Sequence, residues 1–126
     1  MQEKRQFQRY ECSIKTTFDY YEGNPDTIDI DISVPLKGKG FILDVSQGGA
    51  FVITDTLVPV NMPIRIYFKT KKNKHEISGY IVRTGTMKNN PSEVAQKYLK
   101  FASKGEAYIA VKFDDTLTVD ITSELV

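Results

Sequence analysis

The chain has 126 residues, a formal net charge of +1, 40% hydrophobic and 26% charged residues, one histidine and one cysteine. That length fits one domain able to bury about two-thirds of its unfolded surface, and a charge so near zero gives no global field for nucleic acid or an anionic membrane. A lone Cys12 excludes an internal disulfide and any zinc spacing, and no apolar run reaches the ~20 residues of a membrane span or forms a signal-peptide core, so a cytoplasmic protein is expected.

Residues 1–10 are polar, without strand alternation, and read as a mobile arm carrying Lys4, Arg5 and Arg9, with residues 11–126 as the single folded domain. A solvated basic tail is the plain reading of such an arm. Residues 12–20 form the first expected strand, with Ile14, Thr16 and Phe18 on one face. Cys12 reads as a small buried apolar residue rather than a reactive thiol. Residues 21–26, YEGNPD, form a loop, and residues 27–34, TIDIDISV, give the cleanest period-two alternation in the chain, predicting a strand. Asp29 and Asp31 on its polar face suit a hard cation only weakly; a solvated face is the ordinary reading, and no metal site is expected. Residues 35–40, PLKGKG, are expected to be a loop.

Residues 41–53, FILDVSQGGAFVI, read as two short strands around a glycine turn. Strict alternation puts Asp44 and Ser46 on one face, a carboxylate acceptor beside a hydroxyl that donates and accepts. Gly48 and Gly49 close the turn, with glycine able to take φ > 0 and to let a ligand approach the backbone. A wet-faced hairpin is the plainer reading of these residues taken alone.

Residues 63–69, PIRIYFK, form a strand with Ile64, Ile66 and Phe68 inward; residues 70–74, TKKNK, form a basic turn; residues 75–84 form a long strand in which Gly79 marks a bulge or a close approach. His75 has no second histidine with which to make a metal site and reads as an exposed strand residue. Residues 85–89 are read as a loop. The period then changes: Asn90 as N-cap, Pro91, Glu93 and a stripe of Val94, Tyr98 and Phe101 predict a helix over 91–103, stopped by Gly105. Residues 106–113 form the last clear strand, and TLTVDIT after it alternates like another.

Arg5 and Arg9 as R-x-x-x-R, followed by Asp44, Ser46 and Gly49 as D-x-S-x-x-G, resemble the signature pair of the PilZ domain. The resemblance implies a mainly β fold, a six-stranded antiparallel barrel with one inserted or flanking helix near 91–103. It also implies a receptor for the bacterial second messenger cyclic di-GMP, bound by Arg5, Arg9, Asp44, Ser46 and Gly49, with Lys4 and Gly48 beside them. An arginine fork can pair with guanine O6 and N7 or with phosphate, and a carboxylate accepts from guanine N1–H and the exocyclic amine. Lys4 stands where an arginine would favour an intercalated ligand pair, so one ligand or two stays open. The expected output is a switch: ligand orders the arm on the barrel and alters contact with a partner protein.

No nucleophile–base pair, metal cluster or phosphate loop suggests an enzyme or a cofactor. The alternatives are an adaptor of the same fold that binds protein without nucleotide, and a β-barrel nucleic-acid binder using the lysine turn and Tyr67, against which the near-neutral charge weighs.

Overall fold

The computed structural model describes residues 9–71, 73–86 and 107–115. Six strands form in chain order: β1 (Tyr10–Tyr20), β2 (Leu36–Val45), β3 (Gly49–Thr54), β4 (Pro63–Lys69), β5 (Lys74–Thr86) and β6 (Ala107–Phe113). They pair in the order β1-β2-β3-β6-β5-β4, and β4 returns to β1, so the sheet closes into a barrel. Every pairing is antiparallel. The six-stranded barrel expected from the sequence is therefore present. The helix expected over 91–103 and the strand expected after residue 115 lie outside the described residues.

Alternation builds the interior. Phe18 of β1, Ile42 of β2, Val52 of β3, Ile66 of β4, Ile81 of β5 and Ile109 of β6 are all fully buried in one cluster. A second cluster, of Leu43, Phe51, Ile53 and Tyr108, is buried on the opposite face of β2, β3 and β6. This explains the unbroken apolar run AFVI in β3: a strand covered on both faces has no wet side to alternate with. Phe51 and Tyr108 stack with centroids 5.3 Å apart, and the Arg83 guanidinium lies 5.7 Å from the Tyr108 ring centre.

Two expectations fail together. Residues 27–34 are not a strand, and the first half of β2 occupies residues assigned to a loop. The acid and amide side chains upstream decide it. Asn24 Oδ1 accepts from the Asp26 amide at 2.9 Å, and Asp29 Oδ1 from the Asp31 amide at 3.0 Å. The Asn24 carbonyl takes the Thr27 and Ile28 amides, and the Asp29 carbonyl those of Ile32 and Ser33. Such local bonds offer the backbone an alternative to a ladder. The closed barrel also leaves no edge for another strand to join. In 35–40, by contrast, the glycines are sites of close approach: a Cβ on Gly38 would lie 2.3 Å from the Phe18 ring, and one on Gly40 2.0 Å from the Ile53 carbonyl oxygen.

Smaller differences follow the same physics. β5 runs on through Gly85 to Thr86 because it keeps pairing with β6, Gly85 opposite Tyr108. Gly79 is indeed a close approach, its Cβ position 2.3 Å from the Lys112 carbonyl oxygen, while the register shift of β5 falls between Ile81 and Arg83. His75 is half-buried rather than exposed: it pairs with Phe68 across β4–β5, stacks on its ring at 4.8 Å, and has Thr70 Oγ1 3.0 Å from Nε2.

On the outer face, Asp19 ties three strands together. Its carboxylate pairs with Lys37 of β2 and accepts from Tyr67 Oη of β4 at 2.6 Å. Burial alone would raise its pKa, but the bonds from Lys37 and Tyr67 outweigh burial and hold it below the ordinary carboxylate value of 3.8. A group so depressed contributes stability that is present above its unfolded pKa and lost as pH falls through the folded one. Asp19→Asn is therefore expected to be less stable than wild type at neutral pH, with the gap closing as the pH falls below about 4. Urea melts of both proteins across that range check it; a gap independent of pH would remove the carboxylate from the account.

Candidate functional site

The two motifs meet through strand register. β1 pairs with β2 as Tyr10 opposite Val45 and Glu11 opposite Asp44. Arg9 directly precedes Tyr10 and Ser46 directly follows Val45, so both lie one residue beyond the last pair of this register. Arg9 is exposed, at the mouth of β1. The R-x-x-x-R arm thus ends next to D-x-S-x-x-G although the two lie far apart in sequence. Lys4 and Arg5 lie outside the described residues.

Asp44 does not reach its position by simple alternation. Ile42 and Val45, three residues apart, both point into the interior cluster, while Leu43 belongs to the outer one. The register between β2 and β3 shifts between Ile42 and Asp44, so Leu43 and Asp44 together span one step of the ladder. Such a bulge adds one residue and re-aims the side chains that follow it. Without it, Asp44 would share the inward face of Ile42. With it, Val45 takes the inward position and Asp44 is spared it. A second shift, between Glu11 and Ile14 on β1, faces the first across the strand pair.

Asp44 is only 8% exposed. Its neighbour Cys12 is half-buried against the core, and its thiol, 3.5 Å from the Ile42 carbonyl oxygen, has its pKa pushed up to about 12, first by burial and then by the Asp44 charge. That thiol stays protonated and unreactive at neutral pH. Glu11, directly opposite Asp44, adds a second carboxylate to the neighbourhood. It was not singled out in the sequence, where only its partner across the sheet gives it any significance.

Ser46 first serves its own turn. Its Oγ accepts from the Gly48 and Gly49 amides, each at 3.2 Å, while its amide donates to the Gly49 carbonyl at 2.9 Å. Two incoming amide protons leave the hydroxyl's own proton as what it can offer outward, so Ser46 can act there as a donor. The Gly48 carbonyl accepts from the Phe113 amide at 2.8 Å, which fastens the turn to the end of β6.

Gly49 corrects an expectation. Among the described glycines only Gly23 lies at positive φ, so the Gly48–Gly49 pair is not required for left-handed backbone. A Cβ on Gly49 would stand 2.4 Å from the Val111 carbonyl oxygen. The glycine is needed because β6 passes too close for any side chain.

The surroundings thus offer an exposed guanidinium, a mostly buried carboxylate and a hydroxyl donor at one end of the barrel. This set can bind an anionic ligand carrying amide-like N–H groups. Among the described residues no group of three or more His, Cys, Asp or Glu is placed to hold a metal ion, and no helix is long and apolar enough to cross a membrane.

Known structures show the same architecture. The Bacillus subtilis inhibitor of motility (MotI/DgrA) superposes with a TM-score of 0.61 at 12% identity, over 98% of this chain and 49% of that one. The PilZ domain of YcgR from Escherichia coli, described with c-di-GMP, superposes with a TM-score of 0.50 at 15% identity, over 97% of this chain and 84% of that one. This chain spans about half the length of the Bacillus protein, and at such identities the likeness is one of fold. No curated protein matches the chain. The PilZ domain family model, in turn, matches residues 3–121, from the basic arm past the last strand, and this protein belongs to that family.

Proposed function

We propose that this chain is a non-catalytic receptor for cyclic di-GMP, bound where the arginine arm meets the β2–β3 turn. The observation that supports this reading is the last pair of the β1–β2 register, Tyr10 opposite Val45: Arg9 directly precedes the one and Ser46 directly follows the other, two residues beyond the Glu11–Asp44 pair. Arg9, with Arg5 of the same motif, supplies the planar forks for phosphate or for guanine O6 and N7. Asp44 accepts from the guanine N1–H and amine, and its burial strengthens that bond by lowering the local dielectric. Ser46 donates. The family membership and the c-di-GMP in the YcgR structure support the choice of ligand.

The relay follows from where the two halves sit. One half, Asp44 and Ser46, is built into the barrel; the other is carried on the arm that leads into β1. Ligand joins them, orders the arm against the barrel and presents a changed surface to a partner protein.

Isothermal titration of cyclic di-GMP, with GTP and cyclic di-AMP as controls, tests the first step; the chain has no tryptophan to report binding by fluorescence. Saturable binding of cyclic di-GMP alone is expected, with Arg9→Ala and Asp44→Ala each weakening it by about 30-fold or more, the equivalent of ~2 kcal/mol for a lost charge-assisted bond. A folded sample that takes up none of the three nucleotides would end the receptor reading. Amide exchange of residues 1–10 at saturating ligand tests the relay, and slowed exchange is the expected result.

A further inference from the structure

Residues 27–34 carry the most regular strand pattern in the chain, and the fold gives them no strand to join. The β1–β2 connection holds them in turns that leave Ile30, Ile32 and Val34 exposed at 48%, 82% and 83%. Asp29 and Asp31 are exposed among them. Over residues 21–35 the loop has four acidic side chains (Glu22, Asp26, Asp29, Asp31) and no basic one. Exposed aliphatics of this size in one segment mark an interaction surface.

The barrel wall carries the complementary chemistry. Thr17 of β1 lies between Lys39 of β2 and Tyr67 of β4, and Lys15 lies opposite Phe41. The β1–β4 register, extended one step past Thr16 opposite Phe68, puts Lys15 beside Lys69, which itself pairs with Lys74 of β5. A cleft of about 420 Å³ opens on this wall, lined by exposed Lys15 and Lys39, half-buried Phe41 and buried Ile53. A second, of about 600 Å³, shares Lys15 and Thr17 with it and continues past Lys69 and Lys74. Asp55 and Glu76 stand in the two clefts as their acidic members. Lysines outnumber them, and the apolar lining offers a seat for aliphatic side chains.

We propose that the acidic, isoleucine-bearing loop of one copy docks in the cationic cleft of a second copy. Loop and cleft are different surfaces of the barrel, one at an end and one on the wall. The contact is therefore head to tail and can repeat from copy to copy. The net charge of +1 conceals this arrangement, because the acidic loop and basic wall largely cancel in the sum. Charge of opposite sign on the two surfaces steers them together and sets their register, while Ile32 and Val34 supply apolar contact.

Sedimentation velocity on the full chain, over a micromolar to millimolar series, is the test. The wild-type mass is expected to rise above the monomer's with concentration and to fall back in high salt. Asp26→Lys with Asp31→Lys reverses the loop, and Lys15→Glu with Lys39→Glu reverses the cleft; all four positions are exposed, so thermal melts should show both variants folded. Each alone is expected to stay monomeric. An equimolar mixture is expected to associate, because the unaltered cleft of the first accepts the unaltered loop of the second. A wild type that remains monomeric throughout overturns the proposal. So does a mixture that fails to associate, or a variant that associates like wild type.

Discussion

Phe18→Ala is expected to lower the stability of the barrel by about 4 kcal/mol, enough to remove a large part of what holds a domain of this size together. Phe18 is fully buried at the point where β1 crosses the core, among residues from every other strand. Its ring lies directly over Gly38, its partner on β2: the position a Gly38 Cβ would take is 2.3 Å from ring carbons Cε2 and Cζ. Glycine weakens a strand by leaving backbone uncovered, and the ring of the cross-strand neighbour covers it. Truncation to alanine empties the ring's volume and uncovers Gly38 at once. The converse change, Gly38→Ala, is expected to be destabilising too, since it drives a methyl group into a ring with no space to yield.

The two sites are therefore coupled with a predictable sign. In a Phe18→Leu background the ring carbons that meet the new methyl are gone, so Gly38→Ala should cost about 1 kcal/mol less than in wild type. Urea denaturation of the four proteins measures the cycle. Strictly additive losses would mean that the ring and the glycine do not support one another.

This pair also shows why part of the fold could be read from sequence and part could not. The strands that alternate against a single core, residues 63–69 in β4 above all, are legible because period two directly encodes one wet and one dry face. TIDIDISV has the same period and is no strand. Periodicity states what a segment could bury, and the closed barrel had already given both neighbours of every strand to others. PLKGKG failed in the opposite direction. Its glycines are the usual sign of a turn, yet Gly38 and Gly40 are there to let a ring and a carbonyl come close, and nothing local to that hexapeptide records the approach of residues from β1 and β3.

The site divides in the same way. The five motif residues were legible as a resemblance, and the strand register brings Arg9, Asp44 and Ser46 into one neighbourhood. The face on which Asp44 stands was not legible. Strict alternation sets Val45 apart from Ile42, whereas the bulge sends both inward. A single inserted residue inverts every later assignment along the strand, and the sequence carries no mark of it.

Gly49 gives the second large expected effect, and separates what a motif does for the fold from what it does for a ligand. Gly49→Ala should lower stability by about 3 kcal/mol in the absence of any nucleotide, with the melting temperature down by about 10 °C or more. The new Cβ would sit 2.4 Å from the Val111 carbonyl oxygen, and backbone, unlike a flexible side-chain end, has nowhere to swing. Relief requires β3 and β6 to part at Gly49 and Lys112. Parting them strains the bonds that fix this end of the barrel, from the Phe113 amide to Gly48 and from the Gly49 amide to Ser46 Oγ. Asp44→Ala, proposed to act on the ligand, should by comparison weaken nucleotide binding by a larger factor than its effect on the melt would suggest. The two variants are distinguished by measuring both quantities on each. If Gly49→Ala melts with wild type and loses only nucleotide affinity, the glycine belongs to the ligand and not to the closure of the barrel.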